Sequence, residues 1–140
     1  MDRWKKIVMN APVAFALLSS PAIAAQACQG VDQTLSDSRK QMYAGLAAKS
    51  VRIKVDPARI AVTRFMESGP WSLAWVEMPE AEPGVFFFEK SANGMRSDEI
   101  WGGWAVPSDK PDLIRWAQAR GSNFPDALAR CFANAVTQGH

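Results

Sequence analysis

His140, the final residue, is the only histidine in the chain, and this limits the chemistry the sequence can be expected to perform. A Ser-His-Asp or Cys-His mechanism depends on a positioned imidazole, as does a typical zinc site, and chain ends are commonly mobile. No G-x-S-x-G, P-loop or G-x-G-x-x-G segment is present. Tyr43, the only tyrosine, falls at an apolar helical position and is expected to pack. Glu77, Glu80 and Glu82 surround a proline-containing segment, but their spacing matches no calcium loop, which needs about 6–8 oxygen ligands. An exposed acidic turn is the ordinary account of them. Glycosidase-type chemistry needs only two carboxyls about 5–9.5 Å apart. Glu77 and Glu99 are the candidates, and no spacing recommends them. The sequence therefore predicts no catalytic set, no metal site and no cofactor.

Aromatic side chains are the stronger signal. Trp71, Trp75, Trp101, Trp104 and Trp116 lie in the body of the chain with Phe65, the triplet Phe86-Phe87-Phe88, Phe124 and Phe132. Core packing accounts for most of them, because tryptophan is usually highly buried. In a strand, Phe86 and Phe88 face one way and Phe87 the other, and Trp101 and Trp104 likewise project oppositely. Some rings must then lie on a second face, open to a ligand or covered by other elements. The segment Trp101-Gly102-Gly103-Trp104 is the sharpest case. Glycine weakens a strand and marks a bend or a close approach, so Gly102 and Gly103 fit either a bend or a ligand lying flat between two indoles. Phe87, Trp101, Gly102, Gly103 and Trp104 are the candidate binding residues.

The N-terminus sets the compartment. Arg3, Lys5 and Lys6 precede a mostly apolar stretch over residues 7–18, followed by the small-residue run Ala22-Ile23-Ala24-Ala25. This is the order of a secretory signal peptide, with cleavage expected after Ala24, Ala25 or Ala27. The apolar stretch is short of the ~20 residues of a membrane span. Ala25-Gln26-Ala27 lacks the aliphatic residue expected before a lipidated Cys28. Residues 1–25 are thus expected to be removed, leaving 26–140 as one domain, periplasmic or secreted. Loss of Arg3, Lys5, Lys6 and Asp2 leaves thirteen basic and thirteen acidic residues. A neutral chain with interspersed charges has no basic face for nucleic acid or anionic membrane. Cys28 and Cys131, the only cysteines, are most simply one disulfide in an oxidising compartment. Neither has the neighbours of a reactive thiol or metal ligand.

The elements that must position these residues follow from periodicity. Residues 31–50 predict a helix with Leu35, Met42, Tyr43 and Leu46 on its apolar side, and residues 51–55 alternate like a half-buried strand. Residues 60–67 and 71–78 predict a hairpin around Ser68-Gly69-Pro70, with Trp71, Leu73 and Trp75 on one face. Residues 79–84 read as a loop, 85–90 as a strand, 91–97 as a break, and 99–106 as a last strand. Two helices close the chain, one capped at Ser108 or Asp109 and one at Asn123. The fold class is α+β: an N-terminal helix on a curved, mostly antiparallel sheet of four or five strands, then two short C-terminal helices. That order is similar in outline to cystatin-like or NTF2-like folds, and no sequence motif of either is present.

The functional expectation is a small exported, non-catalytic module that binds another macromolecule through an aromatic patch, as an accessory subunit or an inhibitor. The alternative is a carrier of a small apolar ligand between sheet and helices. A carboxylate-dependent enzyme using Glu77 or Glu99 is the third.

Overall fold

Three tight hairpins build the sheet. In the computed structural model, which describes residues 26–138, the strands β1 (Ala61–Ser68), β2 (Trp71–Met78), β3 (Ala81–Ser91) and β4 (Gly94–Trp101) pair antiparallel in sequence order as a curved, open sheet. The pairs Ser68↔Trp71, Met78↔Ala81 and Ser91↔Gly94 each close a loop of two residues. The first uses Gly69 at φ +58°, the positive φ that primed hairpin turns require. Before the sheet comes α1 (Asp37–Ser50); after it come α2 (Lys110–Gln118) and α3 (Asp126–Val136). Short 3-10 turns occupy Pro57–Arg59 and Pro107–Asp109. The α+β class and the order of helix, sheet and two helices are as expected. The expected export segment, residues 1–25, lies outside the described residues, as does His140. Among the described residues no helix is long and apolar enough to cross a membrane.

The sheet is covered on both faces, which explains why β2 is buried at every position but Trp75 and Glu77 and why the centre of β3 is apolar. Tyr43, Ala44 and Ala47 of α1 pack on one face with Val62, Phe65, Val76, Phe86 and Phe88. The opposite face carries Trp71, Leu73, Val85 and Phe87 beneath Leu113, Leu128 and Phe132 of α2 and α3. A bulge between Val62 and Arg64 turns both Val62 and Phe65 toward α1, then returns Met66 to the other side. Cys28 and Cys131 form a disulfide, with Cα atoms 4.5 Å apart, that ties the N-terminal segment to α3. A second tie follows four residues on, where Asp32 and Glu67 exchange backbone hydrogen bonds of 2.9 Å each.

Several boundaries differ from the sequence expectation, each for a local reason. The first helix begins at Asp37 and not near Val31, because Ser36 caps it by accepting from Arg39 N and Asp32 is instead bridged to Glu67 of β1. Its core side is Tyr43, Ala44 and Ala47, with Met42 56% exposed. Residues 51–55 form no strand: Asp56 caps the Pro57–Arg59 turn, which diverts the chain, and only Val55 is buried. The expected loop over 79–84 is mostly strand, because β3 starts at Ala81 and takes Pro83 into the bulge opposite Val76 and Met78. The last strand is β4, starting at Gly94 and ending at Trp101, so residues 102–106 lie outside the sheet. Asn123 caps no helix; its Oδ1 accepts from Trp71 Nε1 at 3.0 Å, and Pro125 holds the cap position of α3.

Candidate functional site

The end of β4 brings the candidate residues together. Arg64, Trp75, Val85 and Trp101 are successive partners across β1, β2, β3 and β4, a single row across the sheet. Phe132 of α3 sits against both indoles, its ring centroid 6.5 Å from that of Trp75 and 5.7 Å from that of Trp101. Helix α3 stops at Val136, one turn beyond Phe132, while the sheet runs on. The space left between the indoles and the last turn of the helix is a pocket of about 250 Å³. Ala135, Val136 and Gln138 wall it from the helix side, and Thr63 and Glu77 stand at its rim.

Glycines shape this pocket in different ways. A Cβ on Gly84 would lie 2.9 Å from Ile100 Cγ2 and 3.3 Å from the Trp101 carbonyl oxygen, so glycine is what allows β3 and β4 to close there. Gly103 has φ +125°, a conformation that turns the chain out of the sheet and that side chains disfavour. Gly102 has ordinary space around it, the nearest contact of a Cβ being Pro83 O at 3.8 Å. The bend therefore accounts for Gly103, and Gly102 leaves the pocket wall bare.

Beyond Trp101 lies a second, more open depression of about 390 Å³, bounded by Trp104, Ala105 and the α2 residues Asp112, Leu113 and Trp116. Trp101 and Gly102 belong to both depressions. Trp104 is 72% exposed, and Ile100 and Val106 are exposed beside it in sequence. Because β4 ends at Trp101, the two tryptophans do not alternate across a strand. Trp101 is half-buried against Phe132, and Trp104 stands on the chain that leaves the sheet. Phe87 is separated from the other four. It is fully buried between Trp116, Phe124 and Phe132, at ring-centroid distances of 5.3, 6.0 and 5.2 Å, so it supports the site from below and offers no surface.

The charged groups are arranged for structure. Arg96 donates to Glu89 at 2.6 Å and to Asp98 at 2.9 Å, and Arg120 lies 3.8 Å from Asp98 and 3.7 Å from Glu99. Hydrogen bonds from Arg96 and then Asn123 hold the Glu89 carboxyl below its usual range. Asp32 is lowered to about 2 by Arg39 and by the Thr34 amide. Both displacements favour the ionised form, the reverse of what a general acid needs. Burial pushes the Tyr43 hydroxyl up, although its bond to Ser72 Oγ at 2.8 Å works the other way. Among the described residues no group of three or more His, Cys, Asp or Glu side chains is placed to hold a metal ion.

Sequence reasoning missed Trp75, Arg64 and the last turn of α3 as site residues. Placing Trp75 in one row with Trp101 requires both the β2–β3 and the β3–β4 registers, and the polar first part of β4 hides where that strand begins. Compared with known proteins, the chain matches no family model, no curated protein and no solved structure.

Proposed function

We propose that this is a non-catalytic exported protein that binds a protein partner, as an accessory subunit or an inhibitor, through the apolar surface at the end of β4. One observation carries the reading. Of the five large apolar side chains that are exposed among the described residues, three (Ile100, Trp104 and Val106) fall within seven consecutive positions, around the half-buried Trp101. Clustered apolar exposure marks contact surfaces, where tryptophan supplies much of the energy. The working compartment is the periplasm or the cell exterior, in keeping with a Cys28–Cys131 bridge that persists where thiols are oxidised. The test is differential capture from a periplasmic extract. A partner retained by the wild-type protein is expected to be lost with Trp104→Ala and with Val106→Ser. Capture that ignores both substitutions, or no capture at all, would overturn the reading.

A second reading, a carrier of a small ligand, rests on the pocket beside Trp75 and Trp101. The layer between sheet and α3 is filled along its length by Leu128, Phe87 and Phe132. A ligand would therefore sit at the open end of the layer, and tryptophan fluorescence would report its binding.

A further inference from the structure

We propose that the pocket between Trp75, Trp101 and the end of α3 takes a small free organic cation, an alkylammonium group of the size of choline. The proposal rests on the small-ligand reading above and gives that ligand a charge. Three features of the pocket point the same way. Glu77 is the only charged residue among the thirteen that line it. Glu67, Glu80, Glu89, Asp98 and Glu99 each lie within 4 Å of an arginine. The side chain of Glu77, by contrast, makes no hydrogen bond or ion pair among the described residues. It stands two positions along β2 from Trp75 and shares its face, so its charge is directed to the same side of the sheet as the indoles.

The helix contributes the second feature. The pocket meets the C-terminal end of α3, where aligned peptide dipoles amount to roughly half a negative charge. No basic residue belongs to the last turn of that helix, and the one cation bonded to it is Lys110 of α2, whose Nζ donates to Asn134 Oδ1 at 3.2 Å. The third feature is the indoles themselves. Tryptophan is the strongest cation–π partner among the side chains, and aromatic walls with a carboxylate are how ammonium groups are held. Arg64 already lies 5.4 Å from the Trp75 ring centroid, so Trp101 is the indole left to the ligand. The volume, about 250 Å³, falls below the range of about 300–1,000 Å³ typical of drug-sized ligands. It suits a head group of few atoms. Arg64 and Lys110 are opposing charges outside the pocket lining, and Glu77 and the helix end must outweigh them.

The experiment compares choline with its uncharged isostere, in which carbon replaces the quaternary nitrogen. Both are titrated into the wild-type protein at constant ionic strength, read by tryptophan fluorescence and by the indole N–H signals of Trp75 and Trp101. Choline is expected to bind saturably, with the isostere weaker by about tenfold or more. Glu77→Gln, an exposed substitution that preserves the fold, is expected to weaken choline by about fivefold or more and leave the isostere unchanged. Equal affinity for choline and isostere overturns the charge selection and leaves an apolar carrier standing. An unchanged choline affinity in Glu77→Gln also overturns the proposal. A saturating response to neither compound overturns it together with the small-ligand reading.

Discussion

The two faces of this sheet are closed by different means. Under α2 and α3 the cover is aromatic: Phe132 alone contacts Trp75, Phe87, Trp101 and Trp116, and the disulfide fixes its helix to the N-terminal segment. Under α1 the helix side is small, with Ala44 and Ala47 flanking Tyr43, whose hydroxyl donates to buried Ser72. Arg39 closes the rim of that face. It bonds Glu67 at 3.0 Å and Thr34 O at 2.8 Å, pairs with Asp32 at 2.9 Å, and lies 4.5 Å from the Phe65 ring centroid. Large rings fill a layer but do not end where a helix ends. On the aromatic face the row of Trp75 and Trp101 outruns α3, which leaves the pocket. Small residues and ion pairs let α1 seat closely on its own side. Stability and binding surface thus come from the same aromatic layer, at its centre and at its margin.

The largest test of that contrast is a pair of substitutions. Phe132→Ala empties the centre of the aromatic layer and is expected to cost about 3–5 kcal/mol in denaturant unfolding. Tyr43→Phe keeps the ring against Phe65 and Phe88 and strands the Ser72 hydroxyl, at about 1–2 kcal/mol. Equal losses would mean that the two faces carry equal weight and would break the comparison. Replacing Cys28 and Cys131 together by serine is expected to fall between these, nearer the first, at about 2–5 kcal/mol. The bridge spans 103 residues, and in the entropy model most of its effect lies in the unfolded chain. The double variant should therefore unfold at lower denaturant while keeping its tryptophan emission.

How much was legible follows from what each residue's role depends on. Trp71, Leu73 and Trp75 alternate, and Gly69-Pro70 marks a turn, so the first hairpin and its faces are local facts. The pairing of Cys28 with Cys131 needed only a count. Residues 91–97 read as a break and the last strand as starting only at Glu99, because Arg96, Ser97 and Asp98 are poor strand formers with no apolar alternation. They form an edge strand because Glu89 on β3 and Arg120 beyond α2 pair with their charges, which no local pattern carries. That one shift moves Trp104 off the sheet and sets Trp101 beside Trp75. Phe87 reads as a binding residue because the sequence does not say which face the last two helices cover. Asn123 looks like a cap and acts as the acceptor for Trp71, a partner 52 positions away.

The smallest expected effect separates the faces by acid. The Asp32 carboxyl is held at about 2 against an ordinary 3.8, chiefly by Arg39 and then by the Thr34 amide, which donates to it at 2.9 Å. A carboxyl lowered by folding contributes stability that is fully present above its unfolded pKa and is lost as pH falls through the folded value. Glu89 is lowered as well, and its loss belongs to the aromatic side. The consequences differ because Glu89 and its partner Arg96 stand opposite each other in a strand ladder that survives their protonation. Asp32 is joined to β1 by a single bridge to Glu67, and the segment it anchors leads to the Ser36 cap of α1. Lowering the pH from about 4 to about 2 should therefore reduce the exchange protection of the Thr34 and Asp32 amides, measured against the intrinsic rate at each pH, before that of the amides of β2 and β3. Asp32→Asn should show that lower protection already at neutral pH, with little further loss in acid. A uniform loss of protection across both faces would show that the α1 rim is no weaker than the aromatic layer.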